Sequence, residues 1–221
     1  MSLRPGLFRR RECLVPTLRG WVVMLCIGGA LAVGLVLGVY PFLAVNDLKP
    51  GGVLVVEGWG SEDAMSEVIG EFKRNHYEGI FVTGGPIEES SPLVEYKSFA
   101  EYGAVILTRL GCDPKAVHPV PTPRVVKDRT YSSAVALKHS LKEHDIPATT
   151  VNVYSMGAHS RRTRLLFQKA FRDDAQIGIM ASEDRDYDPR RWWTTSIGFR
   201  NVTGEAIAYL YARLLFHPPV E

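Results

Sequence analysis

Cysteine is scarce in this chain. Cys13 and Cys26 lie before and within a long apolar run, so Cys112 is the single thiol in the part expected to fold in water. A disulfide framework is thereby excluded. No G-x-S-x-G occurs: Ser155 has Gly157 two residues on but Val153 two residues before, which argues against an α/β-hydrolase nucleophile. There is no P-loop, and no two histidines stand at H-x-x-x-H spacing; His139 and His144 read as surface residues of a helix. Asp184-x-Asp186-x-Asp188 begins like a calcium loop. It lacks the glycine at position six and the glutamate at position twelve, which is Thr195, and reads as a solvated acidic loop. The residues assign no metal and no cofactor.

An excess of either charge is also missing. The formal net charge is +2, and it is unevenly placed. Residues 1–20 carry +4, from Arg4, Arg9, Arg10, Arg11 and Arg19 against Glu12, which leaves −2 for the rest. The folded part is therefore not a nucleic-acid binder by its overall charge. Apolar content of 46% with 23% charged residues fits an ordinary globular protein and excludes a disordered one.

What the chain does have, after its basic tail (1–20), is Trp21–Leu43: 23 residues without a charge. Roughly 20 apolar residues cross a bilayer as a helix, and Trp21 and Tyr40 stand near the ends, where amphipathic rings favour the headgroup zone. A cleaved signal peptide is the competing reading, but its apolar region runs to about 15 residues and ends in an A-x-A-like site. Phe42-Leu43-Ala44-Val45 does not match one, so an uncleaved anchor is expected. Five arginines before the span, against Lys49 shortly after it, predict a cytoplasmic N-terminus and an extracytoplasmic domain over 46–221. That domain would be periplasmic in a Gram-negative host. Gly34-x-x-x-Gly38 offers a weak signal for a homodimer through the anchor.

Beyond a linker, Asn46–Gly52, strand and helix patterns alternate. Val53-Leu54-Val55-Val56 is a continuous apolar run, as in a strand buried on both faces. Ser61 is a plausible N-cap for a helix to about His76, with Glu62 and Asp63 making its first turn too acidic to hold a phosphate. Gly79–Thr83 is a second strand, closing on Gly84-Gly85, whose backbone N–H groups could approach an anion. A helix is expected from about Pro92 to Leu110, stopped by Gly111 and Pro114, and Val117 to Val120 reads as a short strand. Asp128 is a candidate N-cap for a helix to about His144; Val151–Met156 and Ile177–Met180 are further strands. Asn201–Phe216 reads as an amphipathic helix with Ile207, Leu210, Tyr211, Leu214 and Leu215 spaced for packing; it is expected to cover the sheet, with contact to the membrane as the alternative. The alternation predicts an α/β fold: a Rossmann-like, doubly wound, mostly parallel sheet of about five strands, preceded by one transmembrane helix.

The organising stretch is Val151–Phe171, where a strand hands over to a helix through Ala158-His159-Ser160-Arg161-Arg162. Ligands bind at such edges in open α/β sheets. Arginines oppose the helix macrodipole there, each costing about 0.3–1 kcal/mol, so either an anionic ligand or the chain's own carboxylates should meet Arg161, Arg162 and Arg164. His159 is the best candidate for moving a proton, since imidazole titrates near neutrality.

In order and spacing, these landmarks resemble the YdcF-like family, bacterial envelope proteins among which are SanA and ElyC. The resemblance covers roughly residues 53–179, on VLVVEG, IFVTGG, DRTYSSA and HSRR. Thr130, His159 and Arg162 match the family's pattern, and its acidic residue matches Glu101, in EYGAVILTRLGC, or alternatively Glu95. Ser132 and Ser133 stand where many members have Glu-Asn, and Glu57-Gly58-Trp59-Gly60 replaces the glycine-rich turn after the first strand. The resemblance implies a Rossmann-like domain and a role in envelope or peptidoglycan biogenesis, with no agreed reaction; S-adenosylmethionine, associated with one member, is not carried over.

The expected site therefore joins His159, Glu101 and Asp128 as catalytic candidates to Gly84, Gly85, Arg129, Thr130, Ser133, Arg161 and Arg162 as an anion-binding set. An enzyme on a phosphate-containing envelope metabolite and a non-catalytic sensor of such a ligand both remain open, as does an ion-pair network that only ties loops together.

Overall fold

Val53, Leu54, Val55 and Val56 are all 2% exposed or less, because the strand they form is central and covered on both faces. A computed structural model describes residues 14–218 of the chain; Cys13 and the arginines at 4, 9, 10 and 11 lie outside them. Two units are distinguished, Met1–Leu37 and Gly38–Glu221. In the first, helix α1 (Leu18–Leu43) begins; it is apolar and long enough to cross a membrane. The final residues of α1, from Gly38, belong to the second unit.

The second unit continues as β1 (Val53–Glu57), α2 (Glu62–Arg74), β2 (Ile80–Gly84), α3 (Phe99–Arg109) and β3 (Val117–Pro121). Then come α4 (Arg129–Glu143), β4 (Thr150–Met156), α5 (Ser160–Phe171), β5 (Gln176–Ser182) and α6 (Ser196–Leu214). The five strands are all parallel, in the order β3-β2-β1-β4-β5. Side chains alternate across the sheet. Val53, Val55, Val151 and Val153 meet Leu137 of α4 and Phe167 of α5 on one face. Leu54, Val56, Ile80 and Val82 meet Met65 and Val68 of α2 and Leu107 of α3 on the other. The expected doubly wound α/β fold is what forms. Pro119 and Pro121 are tolerated in β3 because it is an edge strand.

Several boundaries differ from the sequence reading, each for a physical reason. The helix expected from Pro92 starts only at Phe99. Ser98 and Glu101 form a reciprocal capping box there, and residues 94–96 make a separate 3-10 turn. The final helix starts at Ser196, where Thr195 accepts a hydrogen bond from the Gly198 amide. Its inward residues are Gly198, Val202 and Ala212, whereas Ile207, Leu210, Tyr211, Leu214 and Leu215 are exposed, the reverse of the expected packing. The linker is stitched down: Asp47 pairs antiparallel with Ile179, and Asn152 accepts from the Lys49 amide at 2.8 Å. Nor is the acidic loop simply solvated, since Asp184 accepts from the Tyr40 hydroxyl at 2.7 Å. Before the final helix, Trp192 is buried against Phe199, and its neighbour Trp193 is 37% exposed.

Glycine matters most where α3 crosses the strand ends. A Cβ on Gly58 would lie 1.9 Å from the Phe99 carbonyl oxygen, one on Gly84 2.6 Å from the Ala100 nitrogen, and one on Gly103 2.7 Å from the Gly58 Cα. No side chain fits between α3 and the ends of β1 and β2.

Candidate functional site

Strands β2 and β3 lie to one side of β1 and strands β4 and β5 to the other, so the chain reverses direction across the sheet between β1 and β4. The crevice beyond the carboxyl ends of the two strands at such a switch point is where α/β proteins bind ligands. Here the last residue of β1 is Glu57, and the turn after β4 carries His159. His159 Nε2 stands 3.9 Å from Glu57 Oε1, and both side chains are largely buried.

Behind the imidazole stands Glu205, from α6. Its Oε1 is 3.0 Å from His159 Nδ1, and it accepts from Arg162 Nε and Nη2 at 2.8 and 3.0 Å. Arg162 Nη2 is also 2.8 Å from His159 Nδ1. One ring nitrogen cannot donate to Glu205 and accept from Arg162 at once. With Nδ1 accepting from Arg162, Nε2 carries the proton and points it at Glu57. With Nδ1–H donating to Glu205, Nε2 is a bare acceptor facing Glu57. A 3.9 Å gap is too long for a direct hydrogen bond, so a bridging ligand atom or water is needed to carry a proton across.

The two carboxyl groups are driven in opposite directions. Burial pushes Glu57 above the usual carboxylate range, outweighing the charges of His159, Arg162 and Arg129 that pull it down. Burial works on Glu205 in the same sense but loses. Hydrogen bonds from His159 and Arg162, with their charges, hold it down to about 2. Pairs of titratable groups separated in this way are the mark of acid/base sites. Glu57 Oε2 is buried with no hydrogen-bond partner among the described residues, and so is Thr83 Oγ1 on the adjacent strand. Each orphan costs roughly 1–3 kcal/mol, and both atoms belong to residues lining one cleft.

That cleft has a volume of about 750 Å³, within the range of small-molecule sites. Arg124, Lys127 and Arg129 line it, and none of the three has an ion-pair partner among the described residues. Glu88 and Asp128 are the other carboxylates in its wall, and Trp59, Leu166, Tyr211 and Phe216 supply apolar surface. The cleft can hold an anion beside a carboxyl group whose protonated form is favoured by burial, with His159 to pass a proton.

Most of the sequence-predicted residues meet there. Gly84, Gly85, Asp128, Arg129, Thr130, Ser133, His159 and Arg162 all line the cleft. Gly84 is explained by close packing on α3, while a Cβ on Gly85 would meet nothing nearer than the Thr122 hydroxyl at 3.6 Å. Asp128 holds the N-cap position of α4 in a left-handed conformation, φ 58°, and its side chain makes no cap hydrogen bond, contrary to the expected role.

Two residues do not join. Glu101 caps its own helix, accepting from the Ser98 amide at 3.1 Å, and lines a separate shallow groove with Val117 and Pro119. Arg161 turns instead to the end of α1, donating to the Phe42 carbonyl and stacking over its ring at 4.0 Å. The helix-start arginines thus meet the chain's own acceptors: Arg161 an orphan carbonyl at a helix C-terminus, Arg162 Glu205, and Arg164 Asp47 at 2.5 Å.

Sequence reasoning missed Glu57 and Glu205 as functional residues. Both left a trace: Glu57 is a carboxyl directly after four buried apolar residues, and Glu205 is the single charge in Asn201–Ala212. Among the described residues, no group of His, Cys, Asp and Glu is arranged to hold a metal. No family model, no curated protein and no solved structure matches the chain.

Proposed function

We propose that this is a membrane-anchored, YdcF-like protein of the bacterial envelope that binds a phosphate-containing envelope metabolite in the cleft and processes it by proton transfer. The observation that carries the reading is Glu57: its Oε1 stands 3.9 Å from His159 Nε2 and its buried Oε2 has no partner among the described residues, inside a cleft lined by three cations that have no ion-pair partner among those residues. A guanidinium such as that of Arg129 suits a phosphate geometrically. Glu57, whose protonated form burial favours, is the proton donor of this reading, and His159, oriented by Glu205 and Arg162, is its exchange partner.

The anchor reading draws support from α1 itself, which is long and apolar enough for a bilayer. Its end is also part of the folded unit: Leu43 is fully buried and Tyr40 bonds Asp184, which favours a retained helix over a cleaved leader. In this reading the N-terminus is cytoplasmic and the folded unit extracytoplasmic, on the plasma membrane, which the arginines before the apolar run support. Gly34 and Gly38 would let two such anchors pair.

One observation favours a second reading, a ligand-sensing module without turnover. Ser160 Oγ donates to the Leu43 carbonyl and accepts from the Val45 amide, both at 3.0 Å. The same turn that carries His159 and Arg162 is therefore bonded to the end of the anchor. The two readings separate in one experiment: thermal unfolding of the full chain with phosphorylated cell-wall precursors, followed by product analysis. Binding raises apparent stability by about 2.7 kcal/mol at a hundredfold excess over Kd, and the shift should vanish in Arg129→Ala. Turnover lost in His159→Ala marks an enzyme; binding without product in the wild type marks a sensor. No shift with any phosphorylated precursor overturns both.

A further inference from the structure

Helix α6 is apolar on two opposite sides. The inner side carries the buried Gly198, Val202 and Ala212, and Ala212 packs with Leu165 and Leu166 of α5. The outer side carries Phe199, Ile207, Leu210 and Leu214, which are 54%, 69%, 54% and 64% exposed. With Thr203 between the first two, these positions recur at spacings of three and four and form one stripe along the helix. The inner of these two apolar sides is covered by protein, and the outer one is not.

We propose that the outer stripe of α6 is a docking surface for a lipid bilayer with anionic headgroups, in which it lies as an interfacial helix; the proposal rests on α1 being a membrane anchor. Two observations point to lipid. The first is continuity: the Phe42 ring, at the end of α1, meets Tyr209 of α6 edge to face at 5.5 Å between centroids. The last residues of the apolar helix and α6 are therefore in contact within one folded unit. The second is charge. Arg200 and Arg213 flank the stripe, and Arg190 and Arg191 precede it, all exposed. The single carboxylate from Pro189 to Pro218 is Glu205, turned inward onto Arg162. Interfacial helices combine such an apolar face with basic flanks that meet anionic lipid. A second copy of this chain would bring arginine against arginine, and so fits the stripe poorly.

The test uses the full chain, reconstituted one copy per nanodisc of phosphatidylcholine and phosphatidylglycerol. A photoreactive benzoylphenylalanine replaces Ile207, Leu214 or, as a control on exposed α4 surface, Lys142. Lipid adducts at positions 207 and 214 are expected to exceed those at 142 by about tenfold and to fall when phosphatidylglycerol is omitted, as binding through both area and charge requires. Adducts no more frequent than at 142 overturn the proposal, as do protein–protein adducts at 207 in discs holding two copies without lipid adducts in discs holding one. Failure of the chain to enter the discs overturns the anchor and this proposal together. Entry without lipid adducts overturns the docking surface alone.

Discussion

At the scale of single residues, Glu57 and Glu205 give the site opposite responses to pH. Glu57 sits above the usual carboxylate range because burial disfavours its charge. Its neutral form therefore stabilises the fold at low pH, and that contribution is lost as pH rises through its folded value. Glu57→Gln keeps the shape and cannot ionise. It is expected to match the wild type in melting temperature near pH 4 and to exceed it by a few degrees at pH 8, roughly 2–4 °C per kcal/mol, while losing turnover. A variant less stable at pH 8 would mean that the ionised form is the one the fold holds.

Glu205 behaves in the other sense. It is held at about 2, below an ordinary glutamate at about 4.3, so its contribution is present above the ordinary value and lost as pH falls towards 2. The shift corresponds to something on the order of 3 kcal/mol. Glu205→Gln should lower stability by about that amount at pH 7, and the gap should close as acid unfolding of the wild type is followed down towards pH 2. His159 and Arg162 were legible as a pair because their spacing falls in a strand-to-helix turn. Their partners were not, since Glu57 lies about a hundred residues earlier in the chain and Glu205 more than forty later. Only the pairing of β1 with β4 and the packing of α6 on α5 bring them in.

At the scale of elements, the legible parts were those fixed locally. Apolar runs marked β1, β2, β4 and β5, and Ser61 capped α2 where a short polar residue before acidic ones predicts it. Segments fixed by distant contacts were misread. Pro92–Lys97 looks helical in composition, yet the backbone is drawn into an antiparallel bridge between Pro86 and Ser98. The apolar residues of α6 suggested packing by their spacing, but periodicity cannot say which of two apolar sides meets protein. The close packing at glycines 58, 84 and 103 was not readable either, Gly84 having been read only as part of an anion-binding turn, because the surface they free is contributed by three separate elements. A methyl group at Gly58 would overlap the Phe99 carbonyl and push the start of α3 off the sheet. Overpacking of this kind costs about 1–3 kcal/mol or more. Gly58→Ala is expected to destabilise by at least that amount in denaturant, with a weaker ligand-induced shift because Phe99 lines the cleft. A neutral result would show that α3 can retreat without loss.

At the scale of the whole molecule, the question is where the folded unit begins. By sequence the boundary falls in the Asn46–Gly52 linker; by contacts it falls inside α1, at Gly38. Truncation tolerance follows from the burial and hydrogen bonding of the removed backbone, not from an element's name. Residues 38–51 supply the fully buried Leu43, the carbonyls of Phe42 and Leu43 that receive Arg161 and Ser160, and the Asp47 amide and carbonyl that pair with Ile179. Burying a leucine contributes roughly 1.5–3 kcal/mol. Leaving the Ser160 hydroxyl and the Ile179 carbonyl without partners costs about 1–3 kcal/mol each where they stay buried. A chain begun at Gly38 should therefore fold and unfold cooperatively, whereas one begun at Gly52 should melt lower by about 7 °C or more, at about 2–4 °C per kcal/mol lost. It should also lose ligand-induced stabilisation, since Ser160 and Arg161 flank the turn that holds His159. Equal melting temperatures would return the boundary to the linker and remove the route from the cleft to the anchor. The same comparison bears on the sensor reading, because a signal can pass along α1 only if its end is part of the fold that binds the ligand.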